Sequence, residues 1–74
     1  MRTVIKNTTS ISEYKAVKTL MEQQATQCYI MHRQACEDWQ EGEIAKVWYD
    51  IDGYLCIEYD SGKWWHYNER GEWW

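Results

Sequence analysis

Three short segments, Ile51-Asp52-Gly53, Asp60-Ser61-Gly62 and Glu69-Arg70-Gly71, set their glycines nine residues apart. Two residues in the right-handed region followed by a glycine in the left-handed region close a three-residue hairpin with a bulge at the glycine. Repetition of that loop at constant spacing writes an antiparallel meander, with strands expected at 43–50, 54–59, 63–68 and 72–74. The loop type also sets register, placing Asp50 opposite Tyr54, Tyr59 opposite Lys63 and Asn68 opposite Glu72.

Side chains alternate across a strand, so parity sorts the two faces of the sheet. Odd positions collect Ala45, Val47, Tyr49, Leu55, Ile57, Tyr59, Trp65, Tyr67 and Trp73, a continuous apolar face that needs a cover. Even positions collect Ile44, Lys46, Trp48, Tyr54, Cys56, Glu58, Trp64, His66 and Trp74.

The cover lies upstream. Ser10 followed by Glu13 matches a capping box, with Ser12 as a competing cap, and no Gly or Pro interrupts residues 11–41. Tyr14, Val17, Met21, Gln24, Cys28, Met31 and Ala35 then recur at three- and four-residue steps, which predicts one helix to about Asp38 or Trp39, closed by Gly42. Such a helix is about 40 Å long against strands of about 20 Å. It either breaks near Gln23–Thr26 or overhangs the sheet and packs on something outside the chain; Tyr29 and Ile30, off the main stripe, favour the overhang. Residues 1–9 read equally as a brief edge strand or a tail. The expected fold class is therefore α+β: one long amphipathic helix (about 11–39) on a three- to four-stranded antiparallel β-meander (about 43–74), within a single 74-residue domain.

A chain of this size buries only about 60–65% of the surface its unfolded form exposes. Six Trp and six Tyr with no Phe compensate, and every ring carries an N–H or O–H that needs a partner or water. Charge divides unevenly: residues 1–40 hold five Lys/Arg and four Asp/Glu (+1) and residues 41–74 hold three and eight (−5), giving the net −4. An acidic C-terminal half repels phosphate backbones, so direct nucleic-acid binding is disfavoured and a basic protein partner favoured, including one from a nucleic-acid-handling complex. Three cysteines cannot all pair, and no signal-peptide stretch follows Met1, which predicts free thiols and a cytoplasmic setting. Apolar runs fall far short of a membrane span.

The even face is the candidate site. A solvent-facing sheet surface is ordinarily charged or small, whereas this one aligns Trp48, Cys56, His66 and Trp74 in one row and Lys46, Glu58 and Trp64 in the next. Aromatic rings with interspersed charge make a binding patch. Specific partner binding, self-association and cover by the chain's own terminus are the three readings of it. For partner binding the contact residues expected are Trp48, Tyr54, Glu58, Trp64, His66 and Trp74, with Asp52 and Asp60 in an acidic rim that also takes in Asp50 and Glu69.

Other constellations carry less. Cys28, His32 and Cys36 stand one helical turn apart, but the outer two are about 12 Å apart and cannot share one ion at a zinc–sulfur distance of about 2.3 Å. Core thiols and a hydrogen-bonded histidine are expected there, and no metal or cofactor. Cys56 beside His66 suggests a nucleophile–base pair without an oxyanion donor or orienting group, so no catalytic residues are assigned and an enzyme is not expected.

Residues 62–72, Gly62-Lys63-Trp64-Trp65-His66-Tyr67-Asn68-Glu69-Arg70-Gly71-Glu72, resemble one hairpin of the choline-binding, cell-wall-anchoring repeats. The resemblance implies cation capture by aromatic rings at Trp64 or Trp48, although the cages of that family form between successive repeats and one copy reads as convergent hairpin chemistry. In size and acidity the chain also resembles the small stand-alone inhibitors of phages and mobile elements, anti-CRISPR proteins among them. That likeness implies a non-enzymatic module that occupies a surface on a larger partner. A homodimeric structural or regulatory protein and a module for a cationic or glycan ligand are the alternatives.

Overall fold

In the computed structural model, which describes residues 1–6 and 10–74, the element order is β1 (Arg2–Thr3), α1 (Ile11–Ala35), β2 (Ile44–Tyr49), β3 (Leu55–Tyr59) and β4 (Trp64–Tyr67). The architecture is α+β, one helix packed on a four-stranded sheet of order β1-β2-β3-β4. Parts of the segment 1–9 are thus assigned: Arg2–Thr3 pair in parallel with Lys46–Val47, which makes the sheet mixed where a purely antiparallel one was expected. Residues 7–9 of that segment lie outside the described residues.

The three hairpins form as the glycine spacing predicts. Gly53, Gly62 and Gly71 have φ of 86°, 89° and 78°. Each loop closes with the same pair of backbone bonds: Asp50 N–H to Tyr54 and Gly53 N–H to Asp50, Tyr59 to Lys63 and Gly62 to Tyr59, Asn68 to Glu72 and Gly71 to Asn68. The last expected strand is reduced to a bridge, Tyr67 opposite Trp73, extended by mutual backbone bonds between His66 and Trp74.

Among the described residues, register departs from strict alternation between Ile44 and Lys46. A bulge between Ile44 and Lys46 leaves Ile44 paired with Tyr59 and Lys46 with Glu58, and it carries Ile44 from the even face to the core side.

The helix begins at the capping box, where the Glu13 N–H donates to Ser10 Oγ at 3.1 Å. It runs unbroken through Gln23–Thr26 for 25 residues, about 37 Å. It stops at Ala35, earlier than expected, with Cys36 extended as C-cap. Two causes act together. Glu37 and Asp38 put negative charge where the helix dipole is already negative, and Trp39 leaves the helical path to pack on Tyr59 and Trp65 while its Nε1–H donates to the Gly42 carbonyl at 2.8 Å. Gly42, at φ 81°, serves the turn into β2 instead of the helix end. A Cβ there would meet the Asp60 Cβ at 2.8 Å.

The core lies between α1 and the odd face: Met21, Ala25, Val47, Leu55, Ile57, Tyr59 and Tyr67 are buried. The helix presents a face rotated from the expected stripe. Met21, Ala25 and His32 are inside, whereas Tyr14, Gln24, Met31 and Ala35 are exposed. Tyr29, expected off the stripe, packs on Trp39 and Tyr59. From Ile11 to Leu20 every residue but Val17 is exposed, so the overhang is the N-terminal half of the helix.

Candidate functional site

The face of the sheet away from the helix carries the expected rows. Trp48 pairs with Cys56 and Cys56 with His66, while Lys46 pairs with Glu58 and Glu58 with Trp64; Trp74 joins the first row through its backbone bonds to His66. Rings contact along and between rows. The His66 imidazole stacks on Trp74 with centroids 5.1 Å apart and planes 3° apart, and Trp64 lies 5.0 Å from His66 and 5.5 Å from Trp48. Tyr54 meets Trp74 edge-on at 4.9 Å.

Exposure divides this face in two. Tyr54, Trp64 and Trp74 stay 41%, 49% and 51% exposed, large rings held in place yet turned to solvent. Trp48, Glu58 and His66 are half-buried, and Cys56 is wholly buried. The even face thus has a small interior of its own beneath an exposed aromatic rim. The ammonium of Lys46 sits 5.1 Å from the Trp48 ring centroid, so the face of that ring already holds a cation.

Asp50, assigned from sequence to the acidic rim, belongs to this interior. Its Oδ1 accepts from the backbone N–H groups of Asp52 and Tyr54, each at 2.9 Å, and its Oδ2 lies 3.4 Å from His66 Nε2. Its parity, two residues after Trp48, was the signal that could have placed it there. Asp52 is exposed in the first loop. Asp60 differs: its Oδ2 accepts from the Glu43 N–H at 2.9 Å and holds the turn against Gly42, so it serves the fold at the opposite end of the sheet.

Burial, reinforced by the Asp50 charge and partly offset by a backbone hydrogen bond at Asp50, pushes the Cys56 thiol up to about 11. It is therefore a thiol at neutral pH. Its Sγ donates to the Tyr54 carbonyl at 3.8 Å, while the two His66 nitrogens face the Trp74 carbonyl and the Asp50 carboxylate. A protonated thiol whose neighbouring histidine points at other acceptors is a poor nucleophile. The donor atoms of Asp50, Cys56 and His66 nonetheless lie within 4.8 Å of one another.

The helix ladder is split apart. His32, 4% exposed, stacks on Trp73 at 4.4 Å and meets Trp65 and Trp39 edge-on at 4.9 and 5.0 Å. Its Nδ1 lies 2.7 Å from the Tyr67 hydroxyl, which lies 2.7 Å from that of Tyr59. Tyr59 donating to Tyr67, and Tyr67 to Nδ1, satisfies all three with a neutral ring. Cys28 is half-buried, but Cys36, expected in the core, is exposed.

Among the described residues no helix is long and apolar enough to cross a membrane. Comparison of the chain with protein-family models, with curated proteins and with solved structures gives no match.

Proposed function

We propose that this protein is a small non-enzymatic protein-binding module that occupies a surface on a larger, basic partner, in the manner of phage and mobile-element inhibitors. One observation carries the reading: Tyr54, Trp64 and Trp74 are held by ring contacts and hairpin register on a single face, yet each remains about half exposed. Rigid, amphipathic rings with little rotamer entropy to lose are the residues that dominate protein interfaces. The excess of acid in residues 41–74 sets the sign of the partner and points toward proteins that themselves hold nucleic acid.

The test captures the partner from the native host on the immobilised chain and compares three single variants on the same samples by circular dichroism and binding. Trp64→Ala and Trp74→Ala should keep the fold and each lose about 2 kcal/mol or more of binding. Trp48→Ala, half-buried against Lys46 and Trp64, should lose stability as well. Normal binding by folded Trp64→Ala and Trp74→Ala would remove the aromatic face from consideration.

Self-association is the second reading, favoured by exposed Ile11, Tyr14 and Leu20 on the helix overhang. Light scattering at micromolar concentration separates it, since a monomer there counts against a dimer.

A further inference from the structure

Asp50 follows β2, Cys56 lies in β3 and His66 in β4, and the register of the meander brings one donor atom from each within 4.8 Å of the others. Carboxylate oxygen, thiolate sulfur and imidazole nitrogen together are the donor set of a borderline cation; magnesium and calcium take oxygen ligands and recruit no sulfur. We propose that Asp50, Cys56 and His66 form a three-ligand site for Zn²⁺ or a similar divalent transition-metal ion.

Around His66 the hydrogen-bonding groups are mismatched. His66 Nδ1 lies 3.4 Å from the Trp74 carbonyl oxygen and Nε2 lies 3.4 Å from Asp50 Oδ2, so both ring nitrogens face acceptors. A neutral imidazole has one N–H, which leaves one lone pair set against an oxygen. A cation between Nε2 and Oδ2 removes the conflict while Nδ1–H donates to the carbonyl, the usual outer contact of a metal-bound histidine. An imidazolium paired with Asp50 removes it too, but gives no part to the thiol. Cys56, fully buried beside that pair on the face away from the main core, supplies the third ligand.

The ligands are also preorganised. Two loop amides hold Asp50 through Oδ1 and leave Oδ2 turned to His66, and the stacked Trp74 ring orients the imidazole. Neighbouring ligand atoms of tetrahedral zinc are about 3.3–3.6 Å apart, from bonds of about 2.0–2.3 Å. The Nε2–Oδ2 separation of 3.4 Å already meets this. The Cys56 sulfur belongs to the same cluster, whose donor atoms lie within 4.8 Å of one another, and a side-chain rotation has to close the remaining distance. Binding places the metal on the sulfur and releases the thiol proton to water.

The experiment titrates the reduced, chelator-treated 74-residue chain with Co²⁺ and then Zn²⁺. Cobalt should give thiolate-to-metal charge-transfer absorption that saturates at equimolar metal and is displaced by zinc. The band should survive in Cys28→Ser/Cys36→Ser, vanish in Cys56→Ser, and weaken in affinity about tenfold or more in His66→Gln and Asp50→Asn. Asn keeps the oxygen that the two loop amides need, so that variant leaves the hairpin closed, and circular dichroism checks every variant. Should Cys56→Ser fail to fold, the parent titration and the two conservative variants decide. Absence of the band in the parent chain, a band that follows Cys28 and Cys36, or unchanged affinity in folded His66→Gln and Asp50→Asn overturns the site.

Discussion

His32 occupies the centre of the molecule because its ring does two things that no apolar residue does at once. It stacks against Trp73, and its Nδ1 lies within hydrogen-bond distance of the buried Tyr67 hydroxyl, continuing the chain from Tyr59 to Tyr67. Burial also raises both phenols, Tyr59 up to about 12 and Tyr67 further in the same direction, so neither ionises near neutral pH. Burial lowers the pKa of His32, with the Glu41 charge pulling partly the other way, so the folded state favours the neutral ring. The unfolded chain, with a histidine near pKa 6.5, binds a proton that the folded chain resists. Stability from this group is thus complete above about pH 6.5 and is lost as pH falls through that value toward the lower folded pKa. Thermal melts of the parent should show Tm dropping across that window. In His32→Gln the overall Tm should be lower but its fall with acid shallower; an equal slope in both chains would show that His32 does not titrate on unfolding.

At the scale of elements, the helix divides into a half that holds the sheet and a half that does not. Met21, Ala25 and His32 are buried, whereas Ile11 and Leu20 are 76% and 54% exposed. Ile57→Ala, beneath the packed half, should therefore cost about 2–5 kcal/mol, and Leu20→Ala no more than about 0.5 kcal/mol. Denaturant titration measures both, and comparable losses would mean the overhang is packed after all. The contrast also marks what the sequence made legible. The hairpins were readable because their third position demands a positive φ, a requirement of the backbone that glycine announces, and the rows of the even face followed from it. The helix face was not, because Ala25 is buried for closeness of approach and His32 for a hydrogen bond, and neither adds to an apolar stripe. Nothing in residues 44–46 announces the bulge that turns Ile44 to the core, and a two-residue β1 offers no period to detect. Asp50 was visible by parity and misassigned by charge, since an acid beside a loop reads as rim until its partner across the sheet is known.

The whole molecule is asymmetric, 42 Å long by 23 and 18 Å, with the helix along one side and the exposed rings on the other face of the sheet. Its acidic charge also divides between the ends of the strands. Asp52 and Glu69 stand exposed on the two loops at one end, while Asp60 at the other is tied into the turn before β2. Within about 8–10 Å, the screening length at ordinary salt, an incoming basic surface feels Asp52 and Glu69 before it touches a ring. Such charges accelerate encounter and hold little once contact is made, whereas a buried ring governs how long the complex lasts. The double variant Asp52→Lys/Glu69→Lys should therefore slow association with the captured partner about tenfold at low salt, flatten its dependence on ionic strength and leave dissociation nearly unchanged. Trp64→Ala should do the reverse, raising the dissociation rate with association almost as fast as the parent's. Surface-binding kinetics at two ionic strengths resolve both. If the charge variant instead dissociates faster and associates normally, Asp52 and Glu69 lie inside the contact, and the interface is centred on the loop end of the sheet instead of its aromatic face.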